Sequence, residues 1–285
     1  MSDFSPADRE LGVGDSLGPY RLDELLGEGG MGLVFKAVRE SDGETVALKV
    51  LKLDLTGDEV FRRRFEQEAR AASEVREPHL VPILEAGEAD GRSYLAVGYV
   101  EGDTLDERLR RDGPLGLEET VRLVTDVGMG LDALHDKGVV HRDVKASNII
   151  IAQQDGTAML TDFGLARGRA YTVLTRPGQV MGTLDYLAPE LIKGRPATSA
   201  SDIYALGCTV FECIAGQPPF ADRGVFKIGL AHLEEAPPDP GAARDDLPPE
   251  FGRAVLQALE KEPERRPETA TAYASLIQAA AEGGA

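Results

Sequence analysis

The chain has 285 residues, enough to bury a substantial core, with 42% hydrophobic and 28% charged residues and a formal net charge of −18 at pH 7. No apolar run approaches the roughly 18 residues of a membrane span, and the acidic start, with Asp3, Asp8, Glu10 and Asp15, is the reverse of a basic and apolar signal peptide. A surface this negative repels nucleic acid and anionic membranes, so the chain reads as cytoplasmic, with no nucleic-acid partner, no membrane segment and a flexible acidic tail over residues 1–19.

From Tyr20 onward, short alternating or β-branched runs predict strands at Tyr20–Leu26, Leu33–Arg39, Thr45–Leu51, Leu80–Ala86 and Ser93–Tyr99. Turn residues such as Ser41-Asp42-Gly43 and Ala89-Asp90-Gly91 separate them, which implies an antiparallel sheet. One helix interrupts the strands from about Asp58 to Val75, with Phe61, Phe65, Ala69, Ala72 and Val75 at helical spacing.

Between the first two strands lies Gly27-Glu28-Gly29-Gly30-Met31-Gly32. A Gly-x-Gly-x-x-Gly run is weak alone in a chain with 32 glycines. A dinucleotide fold needs strand, glycines, then helix; here the glycines join strand to strand, and a bare hairpin can lay its N–H groups over polyphosphate. Lys49, in Val46-Ala47-Leu48-Lys49-Val50, alternates with Leu48 and needs an acid partner if it points inward. Glu68 lies on the apolar face of the interrupting helix and is the expected partner; Glu66 falls off that face.

Past Gly102 the pattern turns helical, with helices predicted at Leu117–Lys137, Ser201–Ala215 (nearly all apolar, hence central and buried), Val225–Leu233, Pro249–Glu260 and Thr269–Ala280. Cys208 and Cys213 read as two buried thiols, since their spacing does not share a helix face. A small sheet with one helix before a larger helical half implies an α+β chain of two lobes, and substrate sites commonly lie in such clefts.

The first of the long helices is followed by His141-Arg142-Asp143-Val144-Lys145-Ala146-Ser147-Asn148, an apolar strand Ile149–Ala152, and Asp162-Phe163-Gly164. Asn148 and Asp162 offer the hard oxygen ligands of metal–phosphate chemistry, and Asp143 a carboxylate for an attacking hydroxyl. Taken in this order behind the glycine hairpin and the lysine, these segments resemble the protein kinase superfamily, specifically the bacterial eukaryotic-like Ser/Thr kinases.

The resemblance runs from about Tyr20 to Ile277 and implies a bilobal kinase domain over 20–281: N-lobe 20–98, hinge 98–102, C-lobe 103–281. It implies transfer of the γ-phosphoryl group of ATP, with Mg2+ (Mn2+ as a substitute), onto Ser or Thr hydroxyls of protein substrates. Gly27, Gly29 and Gly32 match the glycine loop, Val34 the residue beneath adenine, and Lys49 the lysine of the α/β-phosphates with Glu68 as partner. Val97 takes the gatekeeper position, the backbone of Gly98 and Val100 is expected to bond adenine, and Ala47 and Ile150 complete the ATP-binding set. Asp143 matches the catalytic aspartate, Lys145 the lysine of the Ser/Thr branch, and Asn148 and Asp162 the magnesium ligands. Asp202 is expected to brace the catalytic loop, and Arg266 to pair with Glu190 of Ala188-Pro189-Glu190. Two positions depart from the pattern: Ala146 replaces a common proline and Gly98 a frequent acidic hinge residue.

Within the activation segment, Thr183 reads as structural and catalytic, while Thr172 and Thr175 are phosphoacceptor candidates or plain polar loop residues. Arg142, Arg167, Arg169 and Arg176 would suit a phosphate there, as would Arg62–Arg64 unless these form a solvated helix start. The resemblance also implies autophosphorylation and a homodimer through the N-lobe. A pseudokinase would break a motif, a small-molecule kinase would lack Ala188-Pro189-Glu190 and Arg266, and a Tyr kinase would lack Lys145 and Thr183. The chain is read as either a free cytosolic kinase or a domain of a larger receptor.

Overall fold

The computed structural model describes residues 11–29, 32–52, 59–162, 184–221, 223–244 and 247–283. The chain divides into two compact units, residues 1–76 with 81–100, and residues 77–80 with 101–285.

The first unit is built on six antiparallel strands, β1 (Ser16–Leu17), β2 (Tyr20–Gly29), β3 (Gly32–Arg39), β4 (Thr45–Leu51), β5 (Ile83–Ala89) and β6 (Arg92–Gly98), in the order β1-β2-β3-β4-β6-β5. Period-two alternation sends Phe35, Ala37, Val46, Leu48, Val50, Tyr94 and Ala96 to one face, where they bury with Leu17, Tyr20 and Leu22. The sheet curls enough for Tyr20 of β2 and Tyr94 of β6 to donate their hydroxyls to one carboxylate, Glu85 of β5, at 2.9 and 2.8 Å. Helix α1 (Glu59–Ser73) packs on β5 through its buried stripe of Phe65, Ala69 and Ala72.

Two expectations change here. The acidic tail is shorter than residues 1–19, because Ser16 and Leu17 pair with Arg21 and Tyr20, and Leu17 is fully buried; residues 1–10 lie outside the described residues. The strand expected at Leu80–Ala86 runs from Ile83 to Ala89 instead. Pro82 has no N–H for a ladder, and Leu80 bridges Leu160 within the second unit.

The second unit has a small sheet, β7 (Gly102–Thr104), β8 (Ile149–Ala152) and β9 (Ala158–Leu160). Its helices are α2 (Leu105–Asp112), α3 (Leu117–His135), α4 (Pro189–Ile192), α5 (Ser199–Ala215), α6 (Val225–Glu234), α7 (Pro249–Ala258) and α8 (Ala270–Glu282). Helix α5 is buried from Ser201 to Ile214 and ends on Gly216 in the left-handed region at φ 76°. Cys208 and Cys213 on it are free and fully buried, and burial pushes both thiols up. Helix α2 was not anticipated, although Thr104 and Glu107 form a capping box, each side chain bonding the other's backbone N–H at 3.2 and 2.9 Å.

Gly207 is where α5 meets α7: a Cβ there would stand 2.7 Å from the Cβ of Ala258. Valine in place of glycine gains only a few tenths of a kcal/mol of helix propensity, against about 1–3 kcal/mol for overpacking. Gly207→Val is therefore expected to lower stability by about 1–2 kcal/mol, read as a fall in the urea midpoint; an unchanged midpoint would contradict this contact.

Candidate active site

In the first unit the pleat of β4 decides which side chains share a face. Val46, Leu48 and Val50 are buried in the core, so Ala47 and Lys49 point to the other side, where both are partly exposed. The register sets Val34 opposite Lys49, Lys49 opposite Leu95, and Ala47 opposite Val97. Four expected nucleotide contacts, Val34, Ala47, Lys49 and Val97, thus form one patch by strand pairing alone. Gly27 pairs with Val34 and Gly29 with Gly32. Gly32 has no substitute, since a Cβ there would lie 1.9 Å from the carbonyl oxygen of Val50. On α1, Glu68 is partly buried beside Ala69, and Glu66 is exposed; the side chains of Arg62 and Arg64 lie outside the described residues.

The Gly98 N–H donates to the carbonyl of Pro82 at 2.9 Å. The expected adenine bond from the Gly98 backbone therefore narrows to its carbonyl. A Cβ at Gly98 would stand 3.0 Å from Pro82 Cγ, which accounts for glycine at a position where the resemblance leads one to expect an acid. Val100, two residues on, is partly exposed.

In the second unit the loop from His141 to Asn148 is organised by Asp202, in the first turn of α5 and 1% exposed. Its Oδ2 accepts from the His141 N–H and from His135 Nε2, and its Oδ1 accepts from the Arg142 N–H, all at 2.8 Å. Arg142 has φ 67°, a left-handed conformation that costs a non-glycine residue about 1 kcal/mol or more. Hydrogen bonds to a carboxylate, at about 1.5–3 kcal/mol each, outweigh that cost.

His141 is fully buried. Its Nδ1 accepts from the Asp143 N–H at 3.3 Å, so the proton sits on Nε2, which faces the Thr161 carbonyl at 3.0 Å. Burial holds its pKa below the usual imidazole range, consistent with this neutral tautomer. The Thr161 N–H returns to the Asn148 carbonyl at 2.9 Å, and Asn148 Nδ2 donates to the Asp143 carbonyl at 2.8 Å. Lys145 Nζ lies 3.2 Å from Asp143 Oδ2. Asp143, Lys145, Asn148 and, through Thr161, Asp162 are thus tied into one short circuit, with Asp162 itself at φ 59°. Ile150 of β8, two residues past Asn148, pairs with Thr104 and Met159.

The donor set suits a hard cation. With its amide nitrogen committed, Asn148 keeps Oδ1 as an acceptor that meets no donor among the described residues, and Asp162 adds a carboxylate. Among the described residues no cluster of three His, Cys, Asp or Glu forms a closed metal site; the pair fits instead a cation that retains water and phosphate ligands. Thr172, Thr175 and Thr183, with Phe163 and Gly164, lie outside the described residues.

Glu190 and Arg266 meet as a bidentate pair with both N–O distances 2.8 Å, both side chains buried. Burial alone would raise the Glu190 carboxyl, but the Arg266 guanidinium outweighs it and holds the group below its usual range. Ser201 Oγ adds a 2.9 Å bond, and Arg266 stacks on Tyr204 at 4.8 Å. Sequence reading missed a third buried acid: Glu212 of α5 accepts from the Tyr186 hydroxyl at 2.7 Å. Its signal was a lone acid inside the apolar run Thr209-Val210-Phe211-Glu212-Cys213-Ile214.

Burial pushes the Glu212 carboxyl up from 4.5 to about 7. Below the lower value both folded and unfolded chains hold the proton; between the two only the folded chain does, so stability falls as pH rises through that window. The full loss, above the higher value, is on the order of 3–4 kcal/mol. Glu212→Gln keeps an acceptor for Tyr186 and is expected to raise the urea midpoint at about pH 8 while leaving it nearly unchanged at about pH 5; equal effects at both would contradict the shift.

The model of the protein kinase domain family matches residues 20–276. Serine/threonine-protein kinase PknH of Mycobacterium bovis is 42% identical over 254 residues, covering 89% of this chain and 42% of that protein. Serine/threonine-protein kinase PknE of Mycobacterium tuberculosis is 41% identical over 271 residues, covering 93% of this chain and 48% of that protein. The chain thus spans less than half the length of these relatives. The crystal structure of the M. tuberculosis PknI kinase domain superposes with a TM-score of 0.78 at 29% identity, covering 96% of this chain and all of that one. Matched over nearly its whole length, with an antiparallel sheet unit and a helical unit as the fold requires, the chain belongs to the protein kinase domain family, among the bacterial eukaryotic-like serine/threonine kinases.

Proposed function

We propose that this chain transfers the γ-phosphoryl group of ATP, with a divalent cation, to serine or threonine hydroxyls of proteins. The observation that carries this reading is the catalytic circuit: Asp143, Lys145 and Asn148 held on one loop whose backbone is pinned by Asp202. Asp143 orients the substrate hydroxyl and accepts its proton. Lys145, 3.2 Å away, keeps a cation beside the phosphoryl in flight. Asn148 and Asp162 would hold magnesium, or manganese in its place, which supplies charge neutralisation at the phosphates when bound. Lys49 would contact the α- and β-phosphates with Glu68 as its partner, beneath the glycine hairpin of Gly27, Gly29 and Gly32. Val34, Ala47, Val97 and Ile150 would line the adenine, with backbone bonds from the Gly98 carbonyl and Val100. Glu190 with Arg266, and Asp202, act as structural braces, and Thr183 supports the catalytic loop. Autophosphorylation at Thr172 or Thr175, a homodimer through the first unit and a cytoplasmic site of action belong to the same reading and rest on the resemblance.

The test is incubation with ATP and magnesium followed by phosphosite mapping of the native chain and of Asp143→Asn and Lys49→Met. Each variant removes a charged group from the barrier step, so about a thousandfold loss of transfer is expected, or about 4 kcal/mol, with circular dichroism unchanged. The native chain should gain phosphate within the Arg169–Lys193 region; no gain there removes the autophosphorylation element. Full activity in both variants removes the enzyme reading.

A further inference from the structure

Lys36 lies on β3, opposite Ala47 of β4 in register, and Ala47 in turn lies opposite Val97 of β6. Phe35 and Ala37, on either side of it, are buried in the core. Strand parity therefore puts Lys36 on the face that carries Val34, Ala47 and Lys49. Its ammonium does not settle on an acid, although acids are close. Glu24 of β2 stands opposite it in register, and the Asp23 carboxylate, held by Arg21, is near enough to feel its charge. No carboxylate comes within ion-pair distance of Lys36 among the described residues. Its Nζ stands instead 4.5 Å from the centroid of the Tyr99 ring, close enough for a cation–π attraction. Tyr99 is the first residue past β6. Gly98 before it still pairs with Val46 and gives its N–H to the Pro82 carbonyl. Past Gly98 the ladder ends, and neither Tyr99 nor Val100 makes a backbone hydrogen bond among the described residues. The lysine thus grips the stretch that strand pairing leaves loose. Tyr99 also lies between Gly98 and Val100, the two residues whose backbone is expected to bond adenine. Lys36 and Tyr99 are both partly exposed, so either can be replaced without opening the core.

We propose that Lys36 is a positioning residue for the adenine base: its ammonium over the Tyr99 ring fixes the Gly98–Val100 backbone in the orientation that receives the base. The proposal rests on the ATP reading above. It differs from a direct role at the phosphates, because a lysine that acts through Tyr99 serves the base and not the charge of the ligand. The test is calorimetric titration of the whole chain with ATP and magnesium, and separately with adenosine, which carries no phosphate. Native chain, Lys36→Met, Lys36→Arg, Tyr99→Leu and the Lys36→Met, Tyr99→Leu double variant are compared. Lys36→Met keeps the length of the side chain and loses the cation, and should weaken both ligands by the same factor, about three- to fivefold. Lys36→Arg should restore both affinities, since a guanidinium also binds an aromatic face. The double variant should bind no more weakly than Tyr99→Leu alone, because the two residues act as one contact. In the phosphotransfer assay Lys36→Met should raise KM for ATP by the same factor and leave kcat unchanged. Native affinity in Lys36→Met, a loss confined to ATP, or losses that add in the double variant would each overturn the proposal while leaving the ATP reading intact. A native chain that binds neither ligand would remove the ATP reading and this proposal with it.

Discussion

One buried carboxylate shapes the catalytic loop. Asp202 receives two consecutive backbone N–H groups, from His141 and Arg142, and a ring N–H from His135. Two successive amides can converge on one acceptor only if the backbone turns sharply, which is why Arg142 adopts a left-handed conformation. The strain is smaller than the hydrogen bonding it permits, so it persists. Asp202 can hold this position because α5 behind it is buried along almost its whole length and cannot yield to the loop. From there the constraint spreads through His141 to Thr161, through Thr161 to Asn148, and through Asn148 to the Asp143 carbonyl. The chemistry proposed for Asp143 and Asn148 depends on atoms kept in place by a residue that touches neither substrate nor nucleotide.

In the first unit the face that carries Lys49 is ordered by strand pairing instead. There the parity of a strand does the work: once Val46, Leu48 and Val50 are committed to the core, Ala47 and Lys49 can only face the other way. Antiparallel register then lines them up with Val34 and Val97. A one-residue slip would send Lys49 into the apolar core, at a cost far above any local propensity, so the pairing is strongly determined. The hairpin depends on Gly32 in a more local way, through its contact with Val50.

Most of this was legible because periodicity and burial tell the same story. Lys49 and Glu68 could be distinguished from solvated neighbours by counting faces, and α5 announced itself by being apolar all round. The features that escaped depend on contacts that spacing does not encode. Leu80 belongs to the second unit because it bridges Leu160, a pairing between residues far apart in sequence. The Gly98 N–H is taken by Pro82, a neighbour only after β5 and β6 have paired. Ser16 and Leu17 look like part of an acidic tail until Leu17 is seen buried under β2. Helix α2 is a plainer miss, since its capping box is written in Thr104 and Glu107; its short length and highly charged sequence hid the apolar face of Leu105 and Leu109. The Glu212–Tyr186 pair needs α5 to meet the turn at Leu184–Tyr186, which no local pattern announces.

The central claim is that the Asp202 carboxylate, rather than packing alone, holds the catalytic loop in shape. Amide hydrogen exchange at His141 and Arg142 measures this directly, with the native chain compared to Asp202→Ala. With the carboxylate gone, these two amides should exchange at least about tenfold faster, since each loses a bond of about 1.5–3 kcal/mol, while amides inside α3 and α5 keep their protection. Unchanged protection at both amides in the folded variant would show that something else holds the loop, and the account would fail.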